Sequence, residues 1–136
     1  MRTSPERAKQ QYLEQQVASA SPTRLVTMLY DRLLGDIDRA DAAQATSDWV
    51  AAAGHLVHAQ QIVAELTASL TDAWDGAADL RSLYTHLTGR LIVANVSRDR
   101  GATAESRDIV APLREAWHQA AEQLTPAAAS VASAVA

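Results

Sequence analysis

Residues 21–40 read SPTRLVTMLYDRLLGDIDRA, and this stretch decides the fold. Ser21 is a favoured N-cap, and Pro22 suits the first helical position, where its missing N–H costs nothing. From there Leu25, Met28, Leu29, Leu33 and Ile37 recur at steps of three and four, which lays them along one helix face. Val26, Tyr30 and Leu34 widen the stripe beyond what a single neighbour can cover, as in the helices of a bundle. The helix is expected to fade near Ala45.

The same period continues downstream. Ser47 or Asp48 can cap a second helix, in which Trp49, Ala52, Ala53, Leu56, Ala59, Val63, Leu66 and Leu70 share a face. Asp75-Gly76 breaks the chain. A third helix then carries Leu80, Leu83, Tyr84, Leu87, Leu91 and Ala94, with Ile92, Val93 and Val96 as a second apolar face. Gly101 is expected to close it, since glycine suits the turn after a helix. A fourth runs from about Ala104 to Leu124, with Ile109, Leu113, Trp117 and Ala120 inward. Pro112 lies in mid-pattern, where it removes a backbone bond and should kink or divide the helix.

Four helices joined by short loops imply an all-α, antiparallel four-helix bundle. Residues 1–20 form an N-terminal arm, residues 21–124 the bundle, and residues 125–136, rich in Ala and Ser, a disordered tail. Leu13 and Val17 are helically spaced, but one such pair cannot hold a helix in water. The arm is expected to be a short helix only when docked.

Composition narrows the function. Cysteine is absent, which excludes disulfides, thiolate nucleophiles and Cys-ligated zinc. The N-terminus has no apolar core of a signal peptide, and no run is long enough to span a membrane, so a cytoplasmic location is expected. Net charge is −4, Lys9 is the sole lysine, and the arginines are scattered. No basic stripe awaits nucleic acid, and the mildly acidic surface better suits a basic partner.

The histidines are the only candidates for chemistry. His55 and His58 share a helix face, yet no Glu-x-x-His or His-Glu-x-x-His unit accompanies them, so no metal site is expected. Histidine phosphotransfer is the alternative reading of a bundle with an exposed His55 or His58. The Lys and small residue that normally follow the reactive histidine are missing, and fold alone does not imply that activity. No glycine-rich phosphate loop or Gly-x-Ser-x-Gly occurs, so neither an enzyme nor a cofactor is expected.

One constellation remains. Tyr12, then Ser19-Ala20-Ser21-Pro22, then Leu25-Val26-Thr27-Met28-Leu29-Tyr30-Asp31, closely resemble the flagellin-specific export chaperones, the FliS family. Leu83-Tyr84 with Arg90-Leu91-x-x-Ala94-Asn95 is similar to that family's third helix, and Arg114-Glu115-Ala116-Trp117 to the end of its fourth. Arg32 after Asp31, where the family often has Gly, and Pro112 depart from the pattern.

The resemblance implies a cytoplasmic chaperone that binds the C-terminal segment of flagellin, prevents premature polymerisation and delivers it to the flagellar type III export gate. It also implies a movable cover formed by residues near 6–18, with Tyr12 in the client groove. Surplus apolar width on the helices suggests the groove itself: Val26, Met28, Tyr30 and Leu33 on the first helix, Ile62 and Leu66 on the second, Ile92 and Val96 on the third.

Overall fold

The computed structural model describes residues 5, 22–72 and 75–135, the side chains of 22 and 124–135 excepted. Among the described residues four helices follow one another: α1 Pro22–Ala45, α2 Trp49–Ala68, α3 Ala77–Val96 and α4 Arg100–Val135. α1 packs against α2 and α4, and α3 packs against the same two, so α1 and α3 face each other across a diagonal. This is the up-down bundle that the stripe spacing and short loops imply. The helical backbone of α4 continues through residues 125–135.

The turns after α1 and α3 are built alike. Asp48 N–H donates to the Ala43 carbonyl and Ser47 N–H to Gln44; Asp99 N–H donates to Ala94 and Arg98 N–H to Asn95. Both pairs of bonds are Schellman closures, which need a left-handed residue where glycine is usual. Here Ser47 (φ 57°) and Arg98 (φ 52°) take that conformation. In each turn the next residue caps the following helix: Asp48 accepts from Ala51 N–H, and Asp99 from Ala102 N–H.

This corrects two expectations. Gly101 does not close the third helix; it lies inside the first turn of α4, which starts at Arg100 and not near Ala104. The physical reason is the Asp99 cap, which starts a helix as soon as Arg98 has ended one. Pro112 neither ends nor divides α4, which runs through an exposed proline.

An antiparallel ladder fixes the register of α1 on α4. Asp31, Asp38 and Asp41 meet Arg114, Arg107 and Arg100 at 2.6, 2.8 and 3.7 Å, the partner number falling as the acid number rises. Such exposed pairs are screened by solvent, so they select alignment more than they stabilise. The core supplies the stability. Leu33, Ile37, Leu56, Val63, Leu87, Leu91 and Val110 are fully buried, each large aliphatic contributing about 1.5–3 kcal/mol.

Polar groups in the core are paired. Gln44 donates from Nε2 to the Ala94 carbonyl at 3.2 Å, and Thr103 donates its hydroxyl to Gln44 Oε1 at 2.7 Å. The bonds tie α1, α3 and α4 together beneath the turns. Thr103→Val keeps the shape but strips the donor, leaving a buried amide oxygen without a partner. It is expected to cost about 1–3 kcal/mol, read as a lower melting temperature with unchanged helicity.

Candidate partner-binding site

Two apolar depressions open at opposite ends of the bundle. At the end holding the matched turns, residues of α2 and α3 line a groove of about 420 Å³. Its floor is Ala52, Leu56 and Ala94; its rim carries Trp49, Val50, Ala53, Asn95, Val96 and Arg98. Val50 is 87% exposed and Val96 77%, far above what a packed valine shows. Val57 and Ile92 extend the exposed apolar surface along the same two helices.

The opposite end holds a cleft of about 220 Å³ between the start of α1, the end of α2 and the start of α3. Val26, Leu66, Leu70, Leu80, Tyr84 and Trp117 line it, with Thr23, Ser69 and Thr71 at its edge. Two tyrosines stiffen the core beside it. The Tyr30 and Tyr84 hydroxyls hydrogen-bond across the diagonal at 2.6 Å, and Trp117 stacks on Tyr30 with ring centres 6.5 Å apart. Burial drives the pKa of both tyrosines upward, for Tyr30 with help from the neighbouring Tyr84.

The nine residues suggested by the sequence divide into distinct environments. Ile92 and Val96 stand exposed on α3, Val96 on the groove itself. Val26 and Leu66 line the cleft, Leu66 as part of its buried wall. Met28 is 52% exposed on α1. Tyr30, Leu33 and Ile62 are buried in the core, where no partner reaches them while the bundle stays closed. Tyr12 lies outside the described residues.

Sequence reasoning missed Val50, Val57 and Arg98, and it took Trp49 and Ala53 as inward. Val50 and Val57 carried a readable signal, since both are aliphatic on the side of α2 opposite its main stripe. Arg98 carried a subtler one: no glycine separates the third helix from Asp99.

Two of the histidines, His58 and His118, are engaged in the frame. His58 Nδ1 bonds to the buried Asp36 carboxylate, which also takes Arg39 at 2.8 Å, and His58 Nε2 lies 3.4 Å from Arg32. Both ring nitrogens are thus occupied, an arrangement that holds α1 to α2 and offers no free nitrogen to phosphate. Asp31 collects Arg114 at 2.6 Å and His118 at 2.7 Å. Partial burial alone would raise its pKa, but the hydrogen bonds and positive charge of these partners outweigh burial and hold it low. Among the described residues, no three His, Asp or Glu side chains gather as metal ligands. No helix of the described residues is long and apolar enough to cross a membrane.

The sequence matches the family described as flagellar protein FliS over residues 5–124. It is 33% identical over 109 residues to the flagellar secretion chaperone FliS of Bacillus subtilis (strain 168), covering 80% of this chain and 82% of that protein. To the flagellar secretion chaperone FliS of Salmonella typhimurium (strain LT2) it is 34% identical over 110 residues, covering 79% and 82%. The crystal structure of a bacterial flagellar chaperone shares the fold with a TM-score of 0.70, covering 88% of this chain and 99% of the other at 17% identity.

Proposed function

The chain belongs to the FliS family of flagellar proteins, and on that premise we propose that it binds the C-terminal segment of flagellin and delivers it to the flagellar export gate. The observation that carries the reading is the uncovered apolar strip of α2 and α3, with Val50 and Val96 standing almost fully in solvent. A bundle that only had to be stable would place polar side chains there. Exposed aliphatic side chains gathered around one groove on a small protein mark a surface that another chain covers.

Helix-in-groove docking fits this shape. An amphipathic client helix lays aliphatic side chains along α2 and α3, so its own assembly surface is unavailable to other copies. A client that is disordered when free loses conformational entropy on binding, and recovers it only by burying a large area. The cleft at the far end offers a second apolar contact for a client that wraps the bundle. Tyr12 and the arm around residues 6–18 belong to the same proposal as a displaceable cover.

The test is a calorimetric titration of the full chain with the C-terminal segment of flagellin from the same organism. Saturable binding is expected. Val50→Asp with Val96→Asp should weaken it at least about tenfold, since two charges are set against apolar contacts. Both positions are exposed, so stability should move by no more than about 0.5 kcal/mol each. A chain that ignores this segment and binds another flagellar protein would overturn the assignment of client.

A further inference from the structure

We propose that the groove between α2 and α3 selects its client helix through one side-chain carboxylate, which the Arg98 guanidinium takes up beside the apolar contacts. The inference rests on the reading of the chain as a chaperone of a helical client.

The charge balance of the bundle points to Arg98. Arg81, Arg90, Arg100, Arg107 and Arg114 each meet a carboxylate within 4.0 Å. The Arg98 guanidinium makes no hydrogen bond or ion pair among the described residues. It lies instead over the Trp49 ring, 5.1 Å from its centre. The cation–π contact uses none of the guanidinium N–H groups as donors to an oxygen, and those groups match a carboxylate in two parallel bonds. The ring also limits the rotamers of a long side chain, so less freedom remains to be lost on binding.

Backbone and surroundings agree. Arg98 holds φ 52° at a position where glycine would sit without strain, which fixes the start of the side chain at the end of α3. Val50 and Val96, the most exposed valines among the described residues, line the same groove as Trp49 and Arg98. A cation planted among aliphatic side chains calls for a partner with the complementary pattern. Because all these groups share one groove, acid and aliphatic side chains must leave the client within about one helical turn. An Asp or Glu three or four residues from a Leu, Ile or Val does this. Overall net charge is −4, so the acid is drawn by this local site and against the mean field.

The experiment is a cycle between Arg98→Gly and the flagellin C-terminal segment, its Asp and Glu residues changed one at a time to Asn and Gln. Glycine suits the left-handed backbone, so the variant should melt at or above the temperature of the parent. It should bind about tenfold more weakly, with a shallower dependence on salt. One acidic position of the segment should produce the same loss against the parent and no further loss against Arg98→Gly. Amidating the terminal carboxyl should change nothing. Parent-like binding by Arg98→Gly, or the absence of any coupled acid, overturns the proposal while leaving the chaperone reading intact. Coupling to the terminal carboxyl in place of a side chain overturns it too, as does a groove filled by a second copy, seen as a dimer that Arg98→Gly dissolves. If the parent does not bind the segment at all, the reading beneath falls and takes this inference with it.

Discussion

Leu66→Asp is expected to abolish cooperative unfolding, and not merely to weaken a contact with a partner. Leu66 is 1% exposed, and its side chain is shared between the core and the wall of the far cleft. Replacing it removes a buried aliphatic and leaves a cavity, a change worth about 2–5 kcal/mol. The carboxylate that takes its place must then ionise in apolar surroundings or hold a proton at neutral pH, and either adds further cost. Against a typical total of about 5–15 kcal/mol, the sum removes most of the stability. Circular dichroism on heating should show low helicity or a broad, early transition. A sharp melt near that of the parent would mean that Leu66 is not in the packed core. The contrast with Val96→Asp is instructive: the same chemical change, 77% exposed, should pass almost unnoticed by the same measurement.

Tyr30→Ala comes second, with an expected loss of about 3–5 kcal/mol. It deletes a fully buried ring, the stacking partner of Trp117, and the hydroxyl that meets Tyr84 across the diagonal. Tyr30→Phe isolates the last of these. The ring stays, but the Tyr84 hydroxyl is left buried without its partner, for about 1–3 kcal/mol. Adding Tyr84→Phe removes that stranded group, so the double variant should cost less than the two singles summed. Equal additivity in chemical denaturation would show that the hydroxyls do not interact. Alkaline pH gives an independent reading. Both tyrosines have folded pKa values raised above the ordinary 10.0, chiefly by burial. The stability they lend is therefore complete below that value and declines as pH rises beyond it. The double Phe variant should lose this decline.

Much of the fold was legible because it is written in spacing. Leu33 and Ile37 on α1, Leu56 and Val63 on α2, Leu87 and Leu91 on α3 follow the helical period, and all are buried. The start of α1 at Pro22 and the Asp48 cap of α2 follow from chemistry that acts within one turn. The turn after α3 was misread because glycine is only the easiest residue for a left-handed position. Arg98 occupies it, held by the Schellman bonds and the Asp99 cap together.

The surface was harder to foresee. An apolar residue beside a stripe can widen the core or stand in solvent, and one sequence cannot distinguish these. Tyr30 and Leu33 went inward while Met28 of the same helix and Val96 on α3 stayed out, because each helix turns only one face to its two neighbours. The Trp49–Arg98 contact joins residues far apart in the chain and follows no local period. The polar tie among Gln44, Ala94 and Thr103 was equally hidden, being made by three helices at once.

The up-down order of the helices also governs how fast the molecule can assemble. Two hairpins, α1–α2 and α3–α4, close through turns only a few residues long, so most of the search is local and the entropy lost in bringing segments together is small. Helical chains of this kind reach the native state in microseconds to milliseconds. The slow event is the return of α4 to α1, which must bring Arg114 to Asp31 from 83 residues away. After it, the scaffold stands ready on a timescale shorter than the synthesis of a single further residue at the ribosome.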